Sequence, residues 1–211
     1  LGARSLAGFV VVSAIALGTL WLAGRVLDRR KFRDYGFHLS RRWWLDLVFG
    51  FLAGGVLISL IFLFEKGMGW VAVVGLFQNL KNGYQGLPFA VPLVMGLAAF
   101  VIVGFYEECL FRANLITNLA EGFNRKNSMA KEALIGGYIL SSLLFGAAHS
   151  INPNVSLAGV ANIMLGGLFL GLPYVLTGEM AISWGLHISW NFFQGYVFGF
   201  PTSGVPQDIA V

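Results

Sequence analysis

The chain has 211 residues, of which 57% are hydrophobic and only 11% charged, and its mean hydropathy is +0.74. Soluble domains carry about 25% charged residues, so this composition excludes an ordinary water-soluble enzyme and a disordered chain, and a single cysteine excludes a disulfide scaffold. What remains is a chain whose solvent is lipid; the net charge of +4 adds no case for nucleic acid on a molecule with no soluble domain.

The charges fall in blocks, and the gaps between them read as helices. Ser5 to Gly24, Leu47 to Phe64, Asn82 to Tyr106, Ala133 to Gly178 and Met180 to Gln207 carry no Asp, Glu, Lys or Arg. About 20 helical residues cross a bilayer core, and only helices or closed barrels satisfy their own backbone there. These tracts lack the alternation of barrel strands. The tract from Ala133 to Gly178 is long enough for two spans, divided at Ser150-Ile151-Asn152-Pro153-Asn154, where proline and its neighbours favour a turn. The sequence therefore predicts an all-α, polytopic transmembrane bundle of about six spans, near residues 6–26, 45–64, 88–106 or further, 133–149, 155–177 and 183–200. Gly67 to Leu80 is too short for a span and is expected at the interface. No repeat or linker divides residues 1–211, so one membrane-embedded domain is expected.

Lys and Arg set the orientation. Arg25, Arg29, Arg30, Lys31, Arg33, Arg41 and Arg42 crowd the first connection, and Arg125, Lys126 and Lys131 the third; Lys66 and Lys81 are sparse in the second. The first and third connections are therefore expected in the cytoplasm, with Trp43 and Trp44 as interfacial anchors. The chain begins with Leu rather than Met, on what becomes the outer side, and an upstream segment is expected to precede it. The predicted location is an integral, multi-pass protein of a membrane such as the bacterial cytoplasmic membrane.

Ionisable groups inside apolar helices are costly, which makes them functional candidates. Three places qualify. In Glu107-Glu108-Cys109-Leu110-Phe111-Arg112, Glu108 and Arg112 share a helix face and can pair, while Glu107 points about 100° away. In Phe145-Gly146-Ala147-Ala148-His149 the histidine closes an apolar span, and Phe145 lies one turn below it. In His187-Ile188-Ser189-Trp190-Asn191 the imidazole and the amide face the same way. As separate structural residues each needs its own partner; as a catalytic set they need only that three helices meet.

Acid, base and water suffice for hydrolysis. Glu107 can deprotonate a water that His149 orients, with His187 and Asn191 receiving the oxyanion. Glu107, His149 and His187 also make a zinc set with an open position, and the residues alone leave both schemes open. No His-Glu-x-x-His motif is present; Asp28, Asp34, Asp46 and Asp208 lie outside the charge-free tracts; and no Gly-x-Ser-Gly lies in a span. Cys109 reads as a small buried residue.

The order and spacing of Glu107-Glu108-x-x-x-Arg112, Phe145-x-x-x-His149 and His187-x-x-x-Asn191 resemble the three motifs of the CAAX protease and bacteriocin-processing (CPBP) family of intramembrane proteases. That family includes the type II CAAX prenyl endopeptidases and the Abi proteins. The resemblance spans about residues 87–200, expected to form the catalytic core. It implies an intramembrane endopeptidase acting on a membrane-bound peptide or protein, of prenylated CAAX type or bacteriocin type. It also implies Glu107 and His149 as the water-activating pair, His187 and Asn191 as the oxyanion site, and Glu108, Arg112 and Phe145 in support. Zinc is a cofactor of some readings of this family and not of others. Two other classes use the same residues differently: a non-catalytic scaffold or bacteriocin-immunity protein, with the polar groups as contacts between helices, and a small transporter.

Overall fold

The computed structural model describes residues 3–76, 78–79, 88–124, 129–206 and 209–210. It is a helical bundle. Helix α1 (Ala3–Leu22) continues into a π-turn, Ala23–Leu27, and α2 spans Arg41–Gly67. Helix α3 (Ala90–Glu108) runs without a break through a π-helical stretch, Cys109–Ile116, into α4 (Thr117–Phe123). Then come α5 (Ala130–Ala148), α6 (Leu157–Thr177) and α7 (Ala181–Phe192), the last ending in a π-turn, Phe193–Val197. Among the described residues one antiparallel pair of two-residue strands, β1 (Gln78–Asn79) and β2 (Ile209–Ala210), closes one end.

Among the described residues five helices are long and apolar enough to cross a membrane: Val10–Leu27, Arg41–Gly67, Ala90–Phe123, Ala130–Ile151 and Leu157–Thr177. The chain is an integral membrane protein. The sixth expected span is shorter than predicted. Helix α7 has 12 residues before its π-turn, and it is the most enclosed element. Residues 185–189 are buried in succession, so neighbouring helices, rather than lipid, set its length. The third span takes the longer of its expected lengths, Ala90–Phe123. Ala113 to Leu119 is apolar enough to carry the helix past the glutamates, so Glu107 and Glu108 stand in mid-helix.

Small residues set the closest packing. Gly50 and Gly54, four apart on α2, face Ile182, Leu186 and Ser189 on α7, and Gly185 on α7 faces the Leu47 carbonyl. A Cβ on any of the three would enter contact distance of those atoms. Backbones meet this closely where small residues recur at helical spacing. Gly146 and Gly167 do the same between α5 and α6, against Val160, Met164 and Ser142. Serines cap two entries: Ser40 accepts from Trp43 N at 3.1 Å, and Ser156 from Gly159 N at 3.0 Å.

The connections sort to two ends. At one, Gly36, with φ of +83°, turns the first connection so that its carbonyl accepts from Met180 N at 3.0 Å and from Trp43 Nε1 at 2.8 Å. Trp43 is thus a core residue, 2% exposed, and not the interfacial anchor expected; the indole N–H found a partner inside. Trp44, 51% exposed, keeps the outward position. Asp28 Oδ2 accepts from Tyr35, Asn114 and Asn118, and Arg30 bonds Asn118 and Glu121. These bonds latch the basic connection onto the π-stretch and α4. Burial, then the bond to Asp28, raises the Tyr35 phenol above its usual value and keeps that donor protonated. At the other end Asn152 donates to the Ser203 carbonyl at 3.0 Å, and β1 pairs β2. Residues 68–76 are not helical; Leu80, Lys81, Arg125, Lys126 and Asp208 lie outside the described residues.

Candidate active site

Helices α3, α5 and α7 bring the three motifs together. Glu107 Oε2 lies 3.5 Å from His187 Nε2, and Glu107 Oε1 lies 3.9 Å from His149 Nε2. One carboxylate therefore faces both imidazoles. Its neighbour serves a different face, as the helical rotation requires: Glu108 Oε1 meets His187 Nδ1 at 2.7 Å, and Oε2 meets Arg112 Nε at 3.1 Å.

The hydrogen bonds place a proton on Nδ1 of each imidazole. His149 Nδ1 lies 2.7 Å from the Phe145 carbonyl. A carbonyl only accepts, so Nδ1 carries a proton and Nε2 is the nitrogen turned to Glu107. Glu108, ion-paired to Arg112, likewise accepts from His187 Nδ1–H. Glu107 is thus met by two ring nitrogens whose other nitrogens are already committed as donors. At 3.9 Å Glu107 and His149 do not bond directly, and the gap is one that a water can bridge.

Burial divides the set by task. Side-chain exposure is 0% for Glu108, 2% for Arg112 and 3% for His187, against 15% for Glu107 and 12% for His149. The first three form a buried support; the last two are partly exposed. Arg112 donates to the Gly167 carbonyl at 3.3 Å, and its guanidinium stands 4.6 Å above the Phe145 ring. That ring lies 4.6 Å from the His149 ring and 6.1 Å from the His187 ring. Phe145 therefore both packs and holds imidazoles. The sequence did not reveal the Glu108–His187 bond, nor the role of α6, whose Gly167 carbonyl receives Arg112. Neither has a local signal, because one joins residues 79 apart and the other uses a backbone atom.

Asn191 lies one turn beyond His187 and, with His187 and Phe145, lines a cavity of about 410 Å3 between α6, α7 and residues 201–204. Glu107 and His149 do not line it. Cys109 is a free thiol packed against the core beside α3. Among the described residues no group of three or more His, Cys, Asp or Glu side chains is arranged to hold a metal ion. The zinc set read from the sequence, Glu107, His149 and His187, does not meet that geometry, and no step below passes through a metal.

Residues 89–193 match the family model described as type II CAAX prenyl endopeptidase Rce1-like. Over this stretch the chain belongs to that family. The Rce1-like family is a protease family, and its matched region contains all three motifs. The uncharacterized protein YyaK of Bacillus subtilis (strain 168) is 28% identical over 188 residues. The alignment takes in 87% of this chain and 58% of that relative, so the chain spans less than two thirds of its length. No solved structure matches.

Proposed function

We propose that the protein is an intramembrane endopeptidase in which Glu107 activates water against a peptide bond of a membrane-associated substrate. The observation that carries this reading is the approach of Glu107 to both imidazoles, at 3.5 and 3.9 Å, with each ring already oriented through Nδ1.

Water bound between Glu107 and His149 turns an oxygen lone pair to the substrate carbonyl. As the C–O bond forms, a water proton passes to Glu107 and the carbonyl π pair moves onto oxygen. With protons on both ring nitrogens His187 donates to Glu108 through Nδ1, leaving Nε2–H for the oxyanion, and the Asn191 amide supplies a second donor. The charges of Glu107, Glu108, Arg112 and His187 then cancel, which suits a site in the bilayer. Collapse breaks the C–N bond, and Glu107 returns its proton to the leaving nitrogen. His149 orients water, and Glu108 and Arg112 position His187. Substrates of CAAX type follow from the family's printed description; bacteriocin-type substrates follow from the sequence resemblance.

The test is cleavage of a lipid-anchored peptide by the purified protein in liposomes. Glu107→Gln is expected to lower turnover by about 10²–10⁴-fold, the usual worth of a general base, with no loss of folded protein in detergent. Undiminished cleavage by this variant would sink the reading. A wild-type protein that cleaves nothing while the variants lose assembly would favour the scaffold class instead.

A further inference from the structure

A second cavity, of about 340 Å3, lies between α1, the first connection and the π-stretch that continues α3. It is separate from the catalytic set: none of Glu107, Glu108, His149, His187 and Asn191 lines it. Its volume falls within the ~300–1,000 Å3 of ligand sites. Phe105, Cys109 and Ala113, four apart in sequence, form one wall, and Leu17, Leu20 and Trp21 of α1 face them. Where α1 gives way to the first connection, this apolar lining meets two guanidiniums, Arg25 and Arg30. Among the described residues no Asp or Glu lines the cavity.

The surroundings decide what fits. Helix α1 is the span least covered by protein: 11% of Val10–Leu27 is buried, against 22–33% of the other four. Trp21 and Phe32, both lining the cavity, are 68% and 52% exposed. The neighbour of that exposed apolar surface is the bilayer, so acyl chains are the solvent at this opening. The polar end has the opposite chemistry. Residues 25–34 hold five basic side chains and only Asp28 and Asp34 as acids. Both carboxylates are engaged locally, Asp28 by Tyr35, Asn114 and Asn118, and Asp34 by the Lys31 N–H. Arg30 is bonded to Asn118 and Glu121, whereas Arg25 is exposed. Basic clusters just beyond an apolar span, and basic pockets between spans, attract the phosphates of anionic lipids. A soluble anion would match the guanidiniums and leave the apolar walls unfilled. An uncharged or zwitterionic lipid would fill the walls and leave the excess positive charge unmatched.

We infer that this cavity holds one anionic phospholipid, with its phosphate against Arg25 in the field of Arg30 and an acyl chain between α1 and the wall of Phe105, Cys109 and Ala113. The lipid fills the seam that the protein leaves open between α1 and α3.

Native mass spectrometry of the full chain in detergent reads binding of the first lipid, with dioleoyl phosphatidylglycerol and dioleoyl phosphatidylcholine as probes. Phosphatidylglycerol is expected to bind about tenfold more tightly. Arg25→Gln should weaken it about fivefold, the share of one basic residue near a membrane surface, and leave phosphatidylcholine unchanged. Arg25→Lys should keep most of the affinity. Arg41→Gln, exposed and outside the cavity, should alter binding by no more than about twofold, as a screened, distant charge. Thermal unfolding of the lipid-free Arg25→Gln protein should match that of the parent. Millimolar inorganic phosphate or glycerol 3-phosphate should displace no lipid. Equal affinity for the two lipids, equal losses in Arg25→Gln and Arg41→Gln, or displacement by glycerol 3-phosphate would overturn the inference. So would displacement of phosphatidylglycerol by an uncharged palmitoylated peptide, which would give the cavity to a substrate anchor. A lipid-free dimer broken by Arg25→Gln would put a second copy of the chain there instead.

Discussion

At the scale of single residues, the two adjacent glutamates do different work because a helix turns about 100° between them. Glu107 is partly exposed and faces two imidazoles. Glu108 is fully buried and spends both oxygens, on His187 and Arg112. This difference predicts opposite phenotypes. Glu107→Gln should cost turnover and little stability. Arg112→Met leaves Glu108 as an uncompensated buried charge, which costs roughly 3–5 kcal/mol, a loss in melting temperature on the order of 10 °C. The double variant Glu108→Gln/Arg112→Met should recover most of that loss, because removing both charges removes the desolvation penalty as well. Thermal unfolding in detergent reads all three; a single Arg112→Met variant as stable as the parent would contradict the assignment of a buried ion pair. Sequence spacing alone made the Glu108–Arg112 pair legible, since four residues along a helix is a contact. It could not reveal which glutamate holds His187, because that depends on how α3 and α7 cross.

At the scale of elements, the spans were legible wherever a charge-free tract was bounded by charges or by Asn-Pro. They were least legible where tertiary enclosure replaced lipid. Helix α7 is the clearest case: its hydropathy reads as a span, while its length is set by α2 against its small residues. Helix α3 left its far bound open in sequence, at residue 106 or further, and in the fold Glu107, Glu108 and Arg112 stand inside a continuous helix. Its π-stretch, Cys109–Ile116, begins at the residue after Glu108; such stretches recur at functional sites, and nothing in the residue pattern announces one. The α2–α7 contact yields a direct prediction. Gly185→Ala places a methyl against the Leu47 carbonyl, a backbone atom that cannot rotate away. Overpacking of this kind costs about 1–3 kcal/mol. Gly185 lies two residues from His187, so a shift near 1 Å is expected to cost on the order of 10² in turnover. Gly18→Ala on α1 meets nothing within 4 Å and should be neutral, or stabilising by up to about 1 kcal/mol through helix propensity. Equal effects of the two substitutions on turnover would show that the close crossing does not position the histidine.

At the scale of the whole molecule, two independent patterns agree on which connections share an end. Lys and Arg concentrate in the first and third connections. Hydrogen bonds join the first connection to residues 178–180, and join Asn152 to Ser203 at the opposite end. The positive-inside rule predicts the first group in the cytoplasm, with residues 154–156 and 201–204, which border the cavity beside His187, on the other side. Cysteine scanning tests this directly, because Cys109 is the one cysteine of the chain and Cys109→Ser supplies a silent background. In intact cells a membrane-impermeant maleimide is expected to label Ser203→Cys, whereas Arg33→Cys should label only after permeabilisation. Lys and Arg bias orientation through short loops, and residues 150–156 and 198–206 contribute none. Moving the bias should therefore move the molecule: lysines introduced at 151 and 203 together are expected to reduce the share of chains in the native orientation, read as maleimide labelling of Arg33→Cys without permeabilisation. Labelling of Arg33→Cys in intact cells expressing the otherwise unaltered chain would invert the bundle and put the cavity mouth in the cytoplasm.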